Sequence, residues 1–212
     1  AKQLTLAAYP NRDTTLGDLG ISRALPIRDR RMVGPWCFLD RYGPLAFSSG
    51  KPMNVPLHPH IGIQTVSWLL EGEVLHTDSL GCEAIVRPGG VNVMTSGKGI
   101  AHAEETPSAN RGRLNGVQLW VALPEASRNM QPSFQHVEQA PVIESASGII
   151  QVFAGSYQGA ASPAPYFSEI LGLDVMIHPG KVLELELNPA FEHAVLVLNN
   201  DCSFEGQPLE VC

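Results

Sequence analysis

Cysteine is scarce in this 212-residue chain, and its four thiols, Cys37, Cys82, Cys202 and Cys212, stand far apart with no CxxC between them. That spacing excludes a zinc knuckle and a dense disulfide framework, and it fits reduced thiols in a cytoplasmic protein. Long apolar runs are missing too: none reaches 18 residues, and the N-terminal AKQLTLAAYPNRDTT lacks a basic-then-apolar signal pattern. Neither a membrane span nor export by that route is expected. Positive charge is also short, with 14 Lys and Arg against 21 Asp and Glu for a net charge of −7. A field of that sign repels polyanions, which argues against direct nucleic-acid binding. The one basic stretch, RDRRM, has no aromatic partners and reads as a solvated turn.

What is plentiful is punctuation. With 20 Gly and 17 Pro in a chain that is 44% hydrophobic, many short strands joined by turns are favoured over long helices. From residue 36 the segments WCFLDRYGPL, TVSWLLEGEVLHTD, EAIVRPGGVNVMTSGKGIAHAEE and GVQLWVALP follow one another with Gly or Pro every eight to twelve residues. This is the spacing of an all-β sandwich or barrel. The layout predicts an N-terminal unit over 1–124, a polar connector over 125–144 and a second β unit over 145–212. In the second unit GIIQVFAG and KVLELELN read as strands, because Leu183, Leu185 and Leu187 alternate with Glu184 and Glu186. TVSWLLEGEV and AVLVLNNDCS are weakly alike, as an internal duplication would make them. That offset carries His58 to Glu186 and His60 to Asn188, so the second unit lacks any equivalent histidine pair.

The chemistry-bearing residues come in two pairs. In HPHIG, His58 and His60 are two apart and present both imidazoles to one side of a strand, and Pro59 places that strand at an edge or start. In GIAHAEE, His102 and Glu104 form a second same-face pair, delivered by a turn built on Gly97 and Gly99. On neighbouring strands the pairs supply three neutral nitrogens and one carboxylate, a set suited to a divalent first-row metal. The competing reading is that they are ordinary surface or core residues. Because imidazoles bind metals only when unprotonated, affinity is expected to fall below about pH 6.5. His76 reads as a residue holding a turn with Asp78, Met94 as packing against the cavity, and His178 and His193 as structural or solvated.

HPHIGIQTVSWLLEGEVLHTDSLG, PGGVNVMTSGKGIAHAEE and GVQLWVALP resemble the pirin family of the cupin superfamily, and the likeness is specific from about 34 to 124. Gln64, Trp68, Gly90 and Ser96 depart from the family pattern, none of them at a ligand position. The resemblance implies a bicupin with one metal in its N-terminal barrel, held by His58, His60, His102 and Glu104. Family members continue beyond the point where this chain stops, so a partial second barrel is expected. It also implies iron as the first candidate metal, with manganese, nickel, cobalt or zinc as alternatives.

Two activities follow from the resemblance. One is cleavage of a flavonol such as quercetin by O₂, with Glu104 as both ligand and catalytic proton acceptor. The other is a non-catalytic, redox-responsive regulator that acts on a protein partner. A sugar-phosphate isomerase ranks last, since only Arg87 and Lys98 could bind its phosphate.

Overall fold

The structure, a computed structural model, describes residues 6–16, 19–110 and 112–212. The fold is all-β, with no helix among the described residues. In chain order the strands are β1 (Arg12–Leu16), β2 (Leu19–Leu25), β3 (Trp36–Ala46), β4 (Asn54–His60), β5 (Ile63–Glu71), β6 (Val74–Asp78), β7 (Glu83–Val86), β8 (Val91–Thr95) and β9 (Ile100–Glu105). They continue with β10 (Arg113–Ala122), β11 (Ser133–Val137), β12 (Val142–Glu144), β13 (Gly148–Tyr157), β14 (Ala160–Ala161), β15 (Leu171–Ile177), β16 (Cys202–Phe204) and β17 (Gln207–Leu209).

Two sheets face one another in the first unit. One runs β1-β2-β3-β10-β5-β8-β11 and the other β4-β9-β6-β7. Alternation along each central strand divides the large sheet into an inner and an outer face. Across its inner face runs the row Phe38, Trp120, Thr65, Met94 and Phe134, and next to it the polar row Asp40, Gln118, Ser67, Asn92 and His136. Below these, Leu19, Ile21, Tyr42, Met53, Leu69, Val74, Val86 and Leu114 form an apolar floor.

The outer face carries Val66, Trp68, Val91, Val93, Val117 and Leu119, which pack against Phe153, Ala154, Ala164 and Ile170 of the second unit. Trp68 is the hub. Its ring stacks on Phe153 at 5.1 Å, and its indole N–H donates to Asp174 Oδ2 at 2.9 Å. Fully buried side chains such as Val66 and Val93 contribute roughly 1.5–3 kcal/mol each. Polar crossings such as Arg41 Nη2 to the Leu198 carbonyl (2.6 Å) contribute about 1 kcal/mol each, so apolar burial dominates this contact.

The segment 125–144 is more structured than a connector. β11 extends the first unit's large sheet by pairing with β8, and β12 pairs with β13 of the second unit. In the second unit β13 pairs with β12, β14 and β15.

The expected strand at KVLELELN is not formed. Leu183, Leu185 and Leu187 turn one alternating face onto Ile150, Val152 and Tyr157, but no described strand lies alongside to complete a ladder. Alternation specifies which side of an extended segment is buried; hydrogen-bonded pairing needs a neighbour as well. The segment 194–200 likewise forms no strand, although the Val197 carbonyl accepts from the Cys212 N–H at 2.9 Å, and β16 and β17 form a separate hairpin turning through Glu205 and Gly206, both at positive φ.

Candidate metal centre

β4 and β9 build the centre. They pair antiparallel, with His58 opposite His102, and β4 is the free edge of its sheet. An edge strand tolerates Pro56 and Pro59 because the missing N–H groups face away from a ladder, and a register shift between Val55 and His58 accommodates the kink. Gly97 (φ 48°) and Gly99 make the turn into β9. At Gly97 any Cβ would lie 2.1 Å from the Met130 carbonyl, so only glycine fits.

The three imidazoles His58, His60 and His102 converge, each offering a ring nitrogen within 4.8 Å of the others. Ring centroids are 4.5 Å apart for His58 and His102, 4.8 Å for His58 and His60, and 5.0 Å for His60 and His102. The chemistry of the nitrogens fits a cation. His58 Nδ1 lies 2.8 Å from the Pro56 carbonyl, which can only accept, so Nδ1 carries the proton and Nε2 is left with a free lone pair. His102 is 1% exposed, and its Nε2 is buried with no hydrogen-bond partner.

Burial sets the protonation of the cluster. It lowers the His102 pKa to about 2, with further repulsion from His58, His76 and His60, and lowers that of His60 to about 4, with repulsion from His58. Two of the imidazoles are therefore ready to ligate well below the pH 6.5 expected from the sequence. Glu104 is buried opposite His76, outside the three-imidazole grouping. Burial raises its pKa, while a bond from Ser67 Oγ (3.1 Å) and the neighbouring His58 lower it. Ser67 Oγ also lies 2.9 Å from Gln118 Oε1, and with one proton it can serve only one of these acceptors at a time.

The large sheet closes over the centre through residues the sequence reading did not single out. Trp120 packs edge-on against His60 at 5.0 Å and is itself stacked on Phe38 at 4.0 Å. Phe134 stacks on His76 at 4.2 Å. Met94 lies in the same cross-sheet row, between Thr65 and Phe134, which puts it against the cavity as expected. The signal for Ser67 was present: Thr65 and Ser67 are polar at alternate positions of an otherwise apolar strand, TVSWLL.

His76 does pair with Asp78, Nε2 to Oδ2 at 3.0 Å, and Asp78 Oδ1 holds the turn by accepting from the Leu80 and Cys82 N–H groups. His178 and His193 stand apart in the second unit, each bonded to a nearby carbonyl. Surface clefts of about 640 Å³ beside Arg41 and Leu198, and of about 510 Å³ beside Ile143 and Leu183, lie away from the histidines. Arg87 is tied to Glu73 at 2.7 Å, which leaves the phosphate-binding reading little support.

A β sandwich with convergent imidazoles on its inner face and a second β unit on its outer face defines the class: an all-β bicupin. The Pirin family model matches residues 19–121, so the first unit is similar to the pirin family over nearly its whole length. A pirin-like protein from Caulobacter vibrioides is 40% identical over 179 residues, 81% of this chain and 62% of its own length. A Pseudomonas aeruginosa protein, provisionally named quercetin 2,3-dioxygenase, is 41% identical over 195 residues, 92% of this chain and 62% of its own. The crystal structure of quercetin 2,3-dioxygenase from Acinetobacter baumannii superposes with a TM-score of 0.82 at 41% identity, covering 85% of this chain and 60% of that one. The chain thus spans about 60% of the length of the relatives it matches. Among the described residues no helix is long and apolar enough to cross a membrane.

Proposed function

We propose that His58, His60, His102 and Glu104 hold one divalent metal and that the protein cleaves a flavonol such as quercetin with O₂. The observation that carries the metal reading is the convergence of three imidazoles, one with a buried and unpartnered Nε2. The names of the similar Pseudomonas and Acinetobacter proteins support the choice of substrate class. Iron is the first candidate, ahead of manganese, nickel and cobalt, with zinc last because it has no redox chemistry.

When bound, the metal would supply a Lewis-acidic, redox-capable centre that favours an anionic oxygen ligand. The chain's own residues do the rest. Glu104, kept basic enough by burial to accept a proton, takes the one released when the flavonol hydroxyl ionises, and Ser67 holds the carboxylate in place. Trp120, Phe38 and Phe134 make the inner wall apolar, suited to a flat aromatic ring and unfavourable to bulk water.

The test is carbon monoxide release with O₂ uptake from quercetin, using protein loaded separately with iron, manganese, nickel, cobalt or zinc. Release that disappears in His102→Ala supports the dioxygenase and names its metal. No release from protein shown to carry metal contradicts it and leaves a non-catalytic, metal-binding regulator as the reading to pursue.

A further inference from the structure

His76 has no part in the ligand set, yet it is the most enclosed imidazole after His102, at 3% exposure. It touches three things. One face stacks on Phe134 with the rings 8° from parallel, Nε2 meets Asp78 Oδ2 at 3.0 Å, and Nδ1 lies 3.3 Å from His102 Nδ1. Asp78 is itself fixed: its side chain is fully buried, and its other oxygen accepts from the N–H groups of Leu80 and Cys82 at 2.8 and 3.1 Å.

We propose that Asp78 and His76 form a relay that positions His102, fixing its tautomer so that Nε2 presents a lone pair to the metal. The inference rests on the reading of His102 as a ligand. The proton count along the chain is determined by its ends. A carboxylate oxygen accepts, so the proton between Asp78 and His76 sits on His76 Nε2. The neutral ring then has a bare Nδ1, which can only accept. The contact between the two Nδ1 atoms requires a donor, and His102 Nδ1 supplies it. That leaves His102 Nε2 without a proton, and Nε2 is the atom found buried with no partner.

The inverted arrangement, with His76 Nδ1 protonated, would place a proton on His102 Nε2 and block ligation. Ligating imidazoles usually give their second N–H directly to a carboxylate or carbonyl, as His58 does to Pro56. At His102 the carboxylate is one imidazole further away. The topology explains why: β6 pairs with β9 so that Asp78 is opposite His102 and His76 opposite Glu104, and the His76 ring spans the step between them.

The test uses Co²⁺ as probe, with affinity measured against a competing chelator and coordination read from the visible spectrum. His76→Phe keeps the stack on Phe134 and removes both polar contacts. The relay predicts a 10- to 100-fold loss of Co²⁺ affinity. It also predicts that Asp78→Asn combined with His76→Phe is no worse than His76→Phe alone, and that His76→Gln, which retains an acceptor and a donor, recovers most of the loss. Unchanged affinity and spectrum in His76→Phe, while His102→Ala loses the metal, would overturn the relay and leave the ligand reading standing. Retention of the metal in His102→Ala would overturn both. A loss in His76→Phe as complete as in His102→Ala, with a lowered coordination number, would make His76 a ligand and also overturn the relay.

A measurement on the unmutated protein needs no variant to fold. In Zn²⁺-loaded, ¹⁵N-labelled protein, long-range proton–nitrogen spectra of the imidazoles report each tautomer directly. The expected pattern is a proton on His76 Nε2 and on His102 Nδ1; a proton on His76 Nδ1 contradicts the proposal.

Discussion

The two β units solve the same packing problem with different interiors. The first encloses imidazoles, a carboxylate and a polar row between its sheets, above a separate apolar floor. The second gathers Ile150, Val152, Tyr157, Leu173, Leu183, Leu185 and Leu187 into one apolar cluster, and its histidines, His178 and His193, each bond to a backbone carbonyl and not to one another. The contrast lies in the ladders as much as in the residue types. His58 and His102 are opposed on paired strands, which fixes their separation, whereas the positions that the duplication aligns with His58 and His60, Glu186 and Asn188, fall on an extended segment without strand partners. Metal chemistry needs donors held to a fraction of an ångström, and paired strands supply that; an unpaired extended segment buries leucines equally well but could not hold a site.

The largest expected effect breaks the comparison at its centre. His102→Ala should lower metal affinity by more than about 100-fold, beyond the range of outer-shell substitutions, while His178→Ala and His193→Ala in the second unit leave it unchanged. Chelator competition on the three variants checks this. Equal losses in all three would mean that the second unit contributes donors.

Next comes the contact that joins the units. Trp68→Ala removes the stack on Phe153 and the donor to Asp174, whose carboxyl is already pushed up by burial and is lowered by that bond. A cost of about 3–5 kcal/mol is expected in urea unfolding. A cost below about 1 kcal/mol would show that the units are not held together by this face.

The pH dependence of the metal-free protein is smaller and has a defined sign. Because the folded state holds His60 at about 4 and His102 at about 2, against an ordinary value near 6.5, the unfolded chain binds more protons below pH 6.5. The contribution of these groups to stability is complete above that pH and is lost as pH falls from about 6.5 through 4 and on towards 2. Melting temperatures of chelator-treated protein between pH 7.5 and 4.5 should therefore fall, and a flat profile would contradict the buried cluster.

The smallest effect sharpens the comparison within the second unit. Leu185→Ala should cost only about 1–2 kcal/mol, since Leu185 is partly exposed, and Glu184→Ala within about 0.5 kcal/mol of zero. Limited proteolysis should cut first in 181–201, where no ladder protects the backbone.

Much of this was legible in the sequence, for identifiable reasons. His58 and His60, and His102 and Glu104, are each two apart, and strand geometry alone puts such pairs on one face. Pro59 marked β4 as an edge. What remained hidden depends on pairing between distant segments: that β11 would join β8, that Ser67 would meet Glu104, and that His76 would reach His102 across β6 and β9. KVLELELN failed in the opposite direction, since its alternation was read correctly and the missing partner strand could not be seen from the segment itself.

The central claim is one metal held by three imidazoles and a carboxylate. X-ray absorption at the metal edge of purified protein, combined with metal content per chain, tests it directly. The predicted result is one metal per chain, with three imidazole nitrogens and at least one carboxylate oxygen in its shell. A metal-free protein that takes up none on reconstitution, or a shell containing sulfur or a fourth imidazole, would contradict the account.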